Sequence, residues 1–470
     1  MVFTSPTFLF LFLPIFFGIY YLIPAKARNF FILLASLIFI FTSSGSLTFI
    51  LLFVIISSFT VALLINQAEG VRRFALLSTG VVLNLLPLLY FKYSEFGTTV
   101  LNQALSFAGT IGAFSVYKVA LPIGISFYTF HALSYLWDVN KKTVAPSTSL
   151  VDFGMYMVNF PQLIAGPIVR YAEIVDRVRV RPILQGNIYA GIVTFCFGLA
   201  KKTALADPSG VLADRIFALP PDQLTTPVAW LGAFAYSLQI YYDFSGYSDM
   251  AIGLGRMMGF EFPQNFNQPY RSQNITEFWR RWHMTLSRWF RDYVYIPLGG
   301  NRCGLIRTFV NLIVVFFLVG LWHGAAYQFI VWGLYHGLLL IIERVLAERF
   351  RFVPQGYAAQ AVAFFFVLVG WVFFRAPTLA DAAHFLAVMA GFDQGNAAFF
   401  SLHFYLTGDK IAALIAGAIL AIFPFERFNW LFAETWPAVV VRSGLSIMCL
   451  LYSAGLIAAN GFNPFIYFKF

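Results

Sequence analysis

Long apolar runs separated by short polar connections fill most of this chain. The opening runs near 7–24, 29–42, 47–66 and 74–91 are divided by Ala25–Arg28, Ser43–Ser46 and Gln67–Arg73. The first and third connections are basic and the second is neutral, the alternation expected when successive loops lie on opposite sides of a membrane. Lys92 falls on the nominally outer side, against the trend. Further runs lie near 121–137, 186–203, 228–252, 358–374, 409–424 and 437–459, with another over 308–342. Several fall short of the roughly 20 residues that a full crossing needs, and the set predicts about eleven crossings. The pattern therefore predicts an all-α, polytopic transmembrane bundle with added re-entrant or interfacial helices, as one integral domain over 1–470. No charge precedes the first run, and Lys26 and Arg28 follow it. That order predicts an uncleaved first span with the N-terminus outside.

Three places break the pattern. Asn159–Pro167 holds two prolines and a glycine within nine residues, which predicts a broken or re-entrant segment lined by protein or water. The basic run Arg170–Arg181 predicts a cytoplasmic loop. Residues 275–292 predict a helix opened by Asn274 and Glu277 at capping-box spacing. On that helix Phe278, Trp282 and Trp289 form an aromatic stripe, and Arg280, His283, Ser287 and Arg291 a polar one. Its four arginines would each cost about 2.5–3.5 kcal/mol at the bilayer centre, so it does not span facing lipid. It either lies on the cytoplasmic surface against lipid phosphate or packs beside a polar cavity.

The run over 308–341 would be about 50 Å long as one helix, against a hydrocarbon core of about 30 Å. It must tilt or break, and Gly320 and Gly324 flank the natural place. A break there puts His323 below one surface. Thirteen helical residues would hold His336 about 20 Å from it. His283 arrives from a separate segment and is free to approach. His131, His384 and His403 read as structural or surface residues.

Composition sharpens the class. Only 11% of the 470 residues are charged and 60% are hydrophobic, where a soluble domain carries about 25% charged. The formal net charge of +10 is concentrated in short connections, as topology requires, and does not point to nucleic acid. The three cysteines, Cys196, Cys303 and Cys449, show no paired spacing, which gives no disulfide framework or metal motif. The glycines Gly253, Gly255 and Gly259 do not make a dinucleotide fingerprint.

Polar groups in a membrane protein are costly and tend to be functional. Arg280-Arg281-Trp282-His283 and Trp322-His323-Gly324 concentrate them. Two histidines can accept and return a proton near neutral pH. A hydroxyl attacking an acyl thioester needs such a base, together with donors for the developing oxyanion. The alternative for His323 is a core histidine bonded to a neighbouring carbonyl, and it stays open on composition alone. Two well-separated histidines without a supporting cysteine or carboxylate cluster do not suggest a metal.

Several phrases together resemble the membrane-bound O-acyltransferase family, in its bacterial alginate and cellulose O-acetyltransferase branch. They are LPIGISFY (121–128), LIAGP (163–167), YDFSGYSDMAIGLG (242–255), NFNQPY (265–270), TEFWRRWH (276–283), FRDYVYIPLGG (290–300) and GLWHG (320–324). The opening MVFTSPTFLFLFLPIF and the closing NPFIYFKF resemble it too. The resemblance implies a helical bundle around a tunnel, with His323 as the catalytic histidine and His283 as its second. It implies an acyl donor, acetyl-CoA or another thioester, entering from the cytoplasm. Arg280, Arg281 and Arg291 would meet the donor or its phosphates, and Trp282 and Trp322 the substrate. Asp243, Ser245 and Asp249 would line or brace the tunnel. The implied activity is O-acetylation of an exopolysaccharide from a bacterial inner membrane, with membrane lipid around the protein and periplasmic acetyltransferase-type partner proteins. Two other readings stand beside it. One is D-alanyl transfer to teichoic acid. The other is a transporter or polymer-export channel using Asp243, Asp249 and His323 as a polar path.

Overall fold

In the computed structural model the described residues are 2–109, 114–117, 119–392, 395, 401–425, 429–461 and 463–466. The last four residues of the closing phrase lie outside them. Among the described residues every regular element is helical. Among these residues seven stretches are long and apolar enough to cross a membrane: Ala25–Gln67, Gly70–Phe107, Gln185–Phe217, Leu305–His323, Tyr327–Phe350, Gly356–Arg375 and Trp436–Ala459. Shorter apolar helices, Phe8–Leu22 and Leu379–Met389, accompany them. The expected polytopic helical bundle is what the chain forms.

The chain packs as two compact units, the first being Met1–Ile188 with Gly255–Phe262. It holds α1 (Leu13–Leu22), α2 (Arg28–Ser44), α3 (Thr48–Gln67), α4 (Gly70–Leu88), α5 (Ser94–Phe107), α6 (Ile125–Asn140), α7 (Leu150–Val158), α8 (Phe160–Leu163) and α9 (Tyr171–Arg179). The break expected at Asn159–Pro167 is present and buried. Phe160 sits among the rings of Phe3, Phe8, Phe12, Phe16 and Phe39, at 5.2–6.3 Å. Protein replaces water for this backbone: Phe160 N–H donates to Ser36 Oγ at 3.2 Å, and Tyr156 OH to the Val169 carbonyl at 3.0 Å. Irregular backbone at membrane depth is tolerated under that condition.

The basic run after it is not a loop. Tyr171–Arg179 is helical, with Glu173 accepting the Arg170 N–H at 3.0 Å and Tyr171, Ile174 and Val178 buried. Those three recur at helical spacing, a signal masked by the arginines and the valines around them.

The second unit is Tyr189–Leu254 with Pro263–Phe470. It contains most of α10 (Gln185–Ala200), then α11 (Asp207–Phe217) and most of α12 (Thr226–Met257). Next come α13 (Ile275–Arg281), α14 (Met284–Phe290), α15 (Leu305–His323), α16 (Tyr327–Phe350) and α17 (Gly356–Arg375). The unit closes with α18 (Leu379–Met389), α19 (Leu402–Tyr405), α20 (Gly408–Ile422), α21 (Asn429–Phe432) and α22 (Trp436–Asn460). A Cβ on Gly198 would lie 2.7 Å from the Gly246 carbonyl, and one on Gly246 2.7 Å from the Gly198 carbonyl. Only glycine lets α10 and α12 cross this closely. The crossing sets a π-helical turn, Lys201–Ala206, against the carboxylates of α12.

Candidate active site

The two α12 carboxylates are neutralised from that turn. Lys202 and Asp243, each only 2% exposed at the side chain, pair at 2.6 Å, and Lys202 also pairs with Asp207 at 2.6 Å. Lys201 pairs with Asp249 at 2.5 Å. The second oxygen of Asp243 accepts the Ile466 N–H at 2.8 Å, and Lys202 donates to the Pro464 carbonyl at 3.3 Å. Buried charges persist when paired and hydrogen-bonded. Here the pairs tether the segment Asn463–Ile466 to α12. Ser245 is buried beside them, and its Oγ has no protein hydrogen-bond partner.

The helix expected over 275–292 is interrupted. Asn274 caps α13 as anticipated, its side chain accepting Glu277 N–H at 2.7 Å, and Glu277 in turn accepts Gln273 N–H at 2.8 Å. Glu343 of α16 adds a second cap, taking the Ile275 N–H, the Thr276 N–H at 2.9 Å and the Thr276 hydroxyl at 2.8 Å. The helix then stops: Trp282 is extended, and His283 has φ 42° and ψ 52°, a left-handed conformation unusual for a non-glycine residue. Residues 265–267 hold this kink. Met284 N–H donates to the Asn265 carbonyl at 2.9 Å, and Asn267 N–H to the Arg281 carbonyl at 2.9 Å.

The kink separates what one polar stripe would have joined. Arg280, Ser287 and Arg291 line a cavity of about 830 Å³, together with Arg288 and Arg344. His283 turns away from it into complete burial, its ring edge-on to Phe244 at 4.7 Å and 6.1 Å from Trp322. Burial pushes its pKa down from the free imidazole's 6.5 to about 3, so it is neutral at physiological pH. Arg281 does not reach the cavity; it bonds Glu277 at 2.8 Å and the Asn267 carbonyl at 3.1 Å.

The break expected near Gly320 and Gly324 falls after His323, which is the last residue of α15. The chain reverses, and α16 packs back against α15. Cβ atoms on Gly320 or Gly333 would run into the Phe329 and Phe316 carbonyls, so these two glycines set the interhelical distance. The reversal also corrects the distance expected for His336. Trp332 lies 5.1 Å from the His323 ring and 5.2 Å from the His336 ring, so both histidines rest on one indole.

His323 is 6% exposed and caged by aromatic rings, with Trp332 and Phe374 edge-on at 5.1 Å and Trp322 at 4.7 Å. It borders a second, small cavity of about 10 Å³ with Ile240, Phe244, Trp282, Trp332, Trp371, Phe374 and Ile466. That is room for about one water. Trp371 is held there by donating to Tyr270 OH at 3.1 Å, and Tyr270 donates to the Ser237 carbonyl at 2.6 Å. Phe244 and Trp322 link the two histidines, each ring reaching His283 and either the cavity or the ring of His323.

The large basic cavity climbs α15 as far as Val319, one turn before His323. Between the cavities stand two indoles, Trp279 and Trp332, with ring centres 5.8 Å apart. Among the described residues no three His, Cys, Asp or Glu side chains gather as a metal site.

Residues 34–379 match the profile of MBOAT, the membrane-bound O-acyltransferase family. The chain belongs to this family. It is a multi-span membrane protein and an O-acyltransferase. It is 42% identical to the probable alginate O-acetylase AlgI of Pseudomonas putida, over the whole of both chains. To the protein of the same name in Pseudomonas aeruginosa it is 44% identical, covering 91% of this chain and 82% of the other. It is 36% identical to the peptidoglycan O-acetyltransferase of Helicobacter pylori, covering 83% and 80% of the two chains.

Of the residues singled out in the sequence, His323, Trp282 and, through its neighbours, His283 and Trp322 come together at the small cavity. Arg280 and Arg291 line the large one, and Asp243 and Asp249 are paired with lysines and line neither, although Asp243 holds the Ile466 backbone at the edge of the small cavity. Arg288, Arg344, Glu343 and Asn265 were not singled out as site residues. For Arg288 the signal was its place one residue after Ser287 in a helix of arginines; Asn265 lay inside the NFNQPY phrase.

Proposed function

We propose that this O-acyltransferase takes acetyl groups from a cytoplasmic thioester, acetyl-CoA or a comparable donor, for O-acetylation of an alginate-like exopolysaccharide. The observation that carries this reading is the adjacency of the basic cavity and His323 along one helix. Four arginines and an apolar wall of Val315, Phe316 and Val319 suit a ligand with an anionic head and an apolar thioester arm, because guanidinium groups bind phosphate bidentately. The positive loops around these elements agree with a cytoplasmic opening and an N-terminus outside.

In this reading the imidazole of His323 takes the proton of an acceptor hydroxyl while the hydroxyl oxygen attacks the thioester carbonyl. The C–O bond forms, the C–S bond breaks, and the proton passes to the departing thiolate. The Trp332 indole N–H is fully buried beside His323 and has no protein hydrogen-bond partner. It is a donor available to a developing oxyanion. Trp282, Trp322 and His283 shape the acceptor side. The one-water cavity admits no acyl thioester as it stands, so the Trp279–Trp332 partition opens when donor binds.

The Pseudomonas putida alginate acetylase matches over the whole of both chains and at higher identity than the peptidoglycan acetyltransferase, which favours a soluble or exported polysaccharide over peptidoglycan as acceptor. Periplasmic partner proteins would then complete transfer from an inner-membrane enzyme. Membership in an acyltransferase family argues against the transport reading. The test is genetic: deletion should remove O-acetyl groups from the exported polysaccharide. Wild-type protein should restore them and membrane-inserted His323→Ala should not. Full restoration by the variant, or an unchanged polymer in the deletion strain, would refute the proposal.

A further inference from the structure

His283 has two ring nitrogens with unlike surroundings. Nδ1 lies 3.1 Å from Asn265 Oδ1, whereas Nε2 is buried with no hydrogen-bond partner in the protein. Which nitrogen carries the proton follows from how Asn265 is oriented, and that orientation is fixed by its other bonds. The Thr285 backbone N–H can only donate, and it meets the same Asn265 side-chain atom at 3.3 Å. The Thr285 hydroxyl meets it at 2.8 Å. An amide nitrogen cannot accept from a backbone N–H, so the shared atom is the oxygen. The amide nitrogen faces the Ser248 hydroxyl at 3.1 Å, where a hydroxyl accepts without strain. An oxygen that only accepts requires a proton on His283 Nδ1, and a neutral ring then carries its lone pair on Nε2.

We propose that Asn265 is a positioning residue that selects the Nδ1–H tautomer of His283, so that Nε2 is held as a buried, unpaired hydrogen-bond acceptor for a hydroxyl of the incoming acceptor other than the one that His323 deprotonates. The same residue holds the ring in place as well as setting its tautomer. Its backbone carbonyl takes the Met284 N–H at 2.9 Å, which stabilises the left-handed His283 on which the ring's direction depends. Side chain and main chain of one asparagine thus define both the tautomer and the place of the imidazole. The rings packed on His283, Phe244, Phe266 and Trp322, are uncharged, and none of them competes with Asn265 for Nδ1. A buried polar atom left without a partner costs about 1–3 kcal/mol, a cost that a hydroxyl donating to Nε2 would remove.

The tautomer is independent of activity, while the role assigned to Nε2 rests on the acyl-transfer reading above. The experiment therefore has two arms. In the first, nitrogen-15 spectra of histidine-labelled full-length protein in nanodiscs are compared with those of His283→Gln, which assigns the His283 signals by difference. Protonated Nδ1 and unprotonated Nε2 are expected; a protonated Nε2 overturns the proposal without touching the proposed function. In the second, the pH dependence of kcat/KM is measured for wild type, Asn265→Asp and Asn265→Ala. The carboxylate introduced by Asn265→Asp keeps the acceptor but adds a negative charge, which should move the acidic limb up by about 1 pH unit or more. The alanine variant leaves the tautomer unselected, and kcat should fall at least tenfold with KM little changed. If Asn265→Ala fails to fold, the aspartate variant and the wild-type spectrum still decide. An Asn265→Asp profile superimposed on that of wild type overturns the positioning role. Loss of thioester turnover in wild type itself would instead refute the acyl-transfer reading, with the spectrum still reporting the tautomer.

Discussion

Val319 and His323 lie one turn apart on α15, yet they border different cavities. Val319 lines a roomy chamber that holds four arginines, and His323 faces a space with room for about one water. Four residues of helix rise about 6 Å, less than the length of a thioester arm. On the proposed function, an arm lying along α15 would reach the imidazole once Trp279 and Trp332 part.

The arginine chamber predicts a binding defect that is separable from chemistry. Arg288→Ala combined with Arg280→Ala should raise KM for a phosphate-bearing thioester with kcat nearly unchanged. Each lost charge-assisted bond is worth roughly 1.5–3 kcal/mol, about ten- to a hundredfold, so loss of both should raise KM by about a hundredfold or more. Initial-rate kinetics on reconstituted protein check this, and an unchanged KM would place the donor elsewhere.

The Lys202–Asp243 pair predicts a structural defect. Asp243→Ala leaves a buried ammonium with Asp207 as its remaining carboxylate. Removing one member of a buried pair typically costs about 3–5 kcal/mol, so the melting temperature in detergent should drop by several degrees. Lys202→Met in the same chain should recover part of it. A double variant no better than the single one would show that the charge left behind was not the problem.

The contact between α15 and α16 makes a third prediction. Gly333→Ala pushes a methyl group into the Phe316 carbonyl. Overpacking of this kind costs about 1–3 kcal/mol. It also shifts the end of α15, so activity should fall more than stability. Thermal melting and turnover measured on the same preparation separate the two.

Burial of neutral His283 links stability to pH. Its folded pKa of about 3 lies below the free value of 6.5. The folded state therefore keeps its full contribution above pH 6.5 and loses it as pH falls from 6.5 towards 3. Within that window His283 costs up to about 1.4 kcal/mol per pH unit. His283→Asn should flatten this acid-side loss in a pH series of melting curves. An unchanged acid-side slope would show that His283 is not the group responsible.

Much of this was legible in the chain because membrane helices announce themselves by length and hydropathy. The break beside His323 followed from a run too long for one bilayer, marked by Gly320 and Gly324. The kink at His283 did not show. No proline or glycine lies within Phe278–Arg288, and the bonds from Asn265 and Asn267 that sustain the turn come from a separate segment. Lys201 and Lys202 were equally silent as partners of Asp249 and Asp243, since the pairing depends on two helices touching at Gly198 and Gly246. Periodicity reports the face of a helix; it does not report what another helix presents to that face.

The most direct measurement uses purified protein in nanodiscs with acetyl-labelled thioester donor, comparing wild type with His323→Ala and Arg280→Ala/Arg288→Ala. Wild type should release or transfer label, the arginine variant should do so only at higher donor concentration, and His323→Ala should lose at least a hundredfold in turnover while retaining its fold. His323→Ala turning over at the wild-type rate would contradict the account.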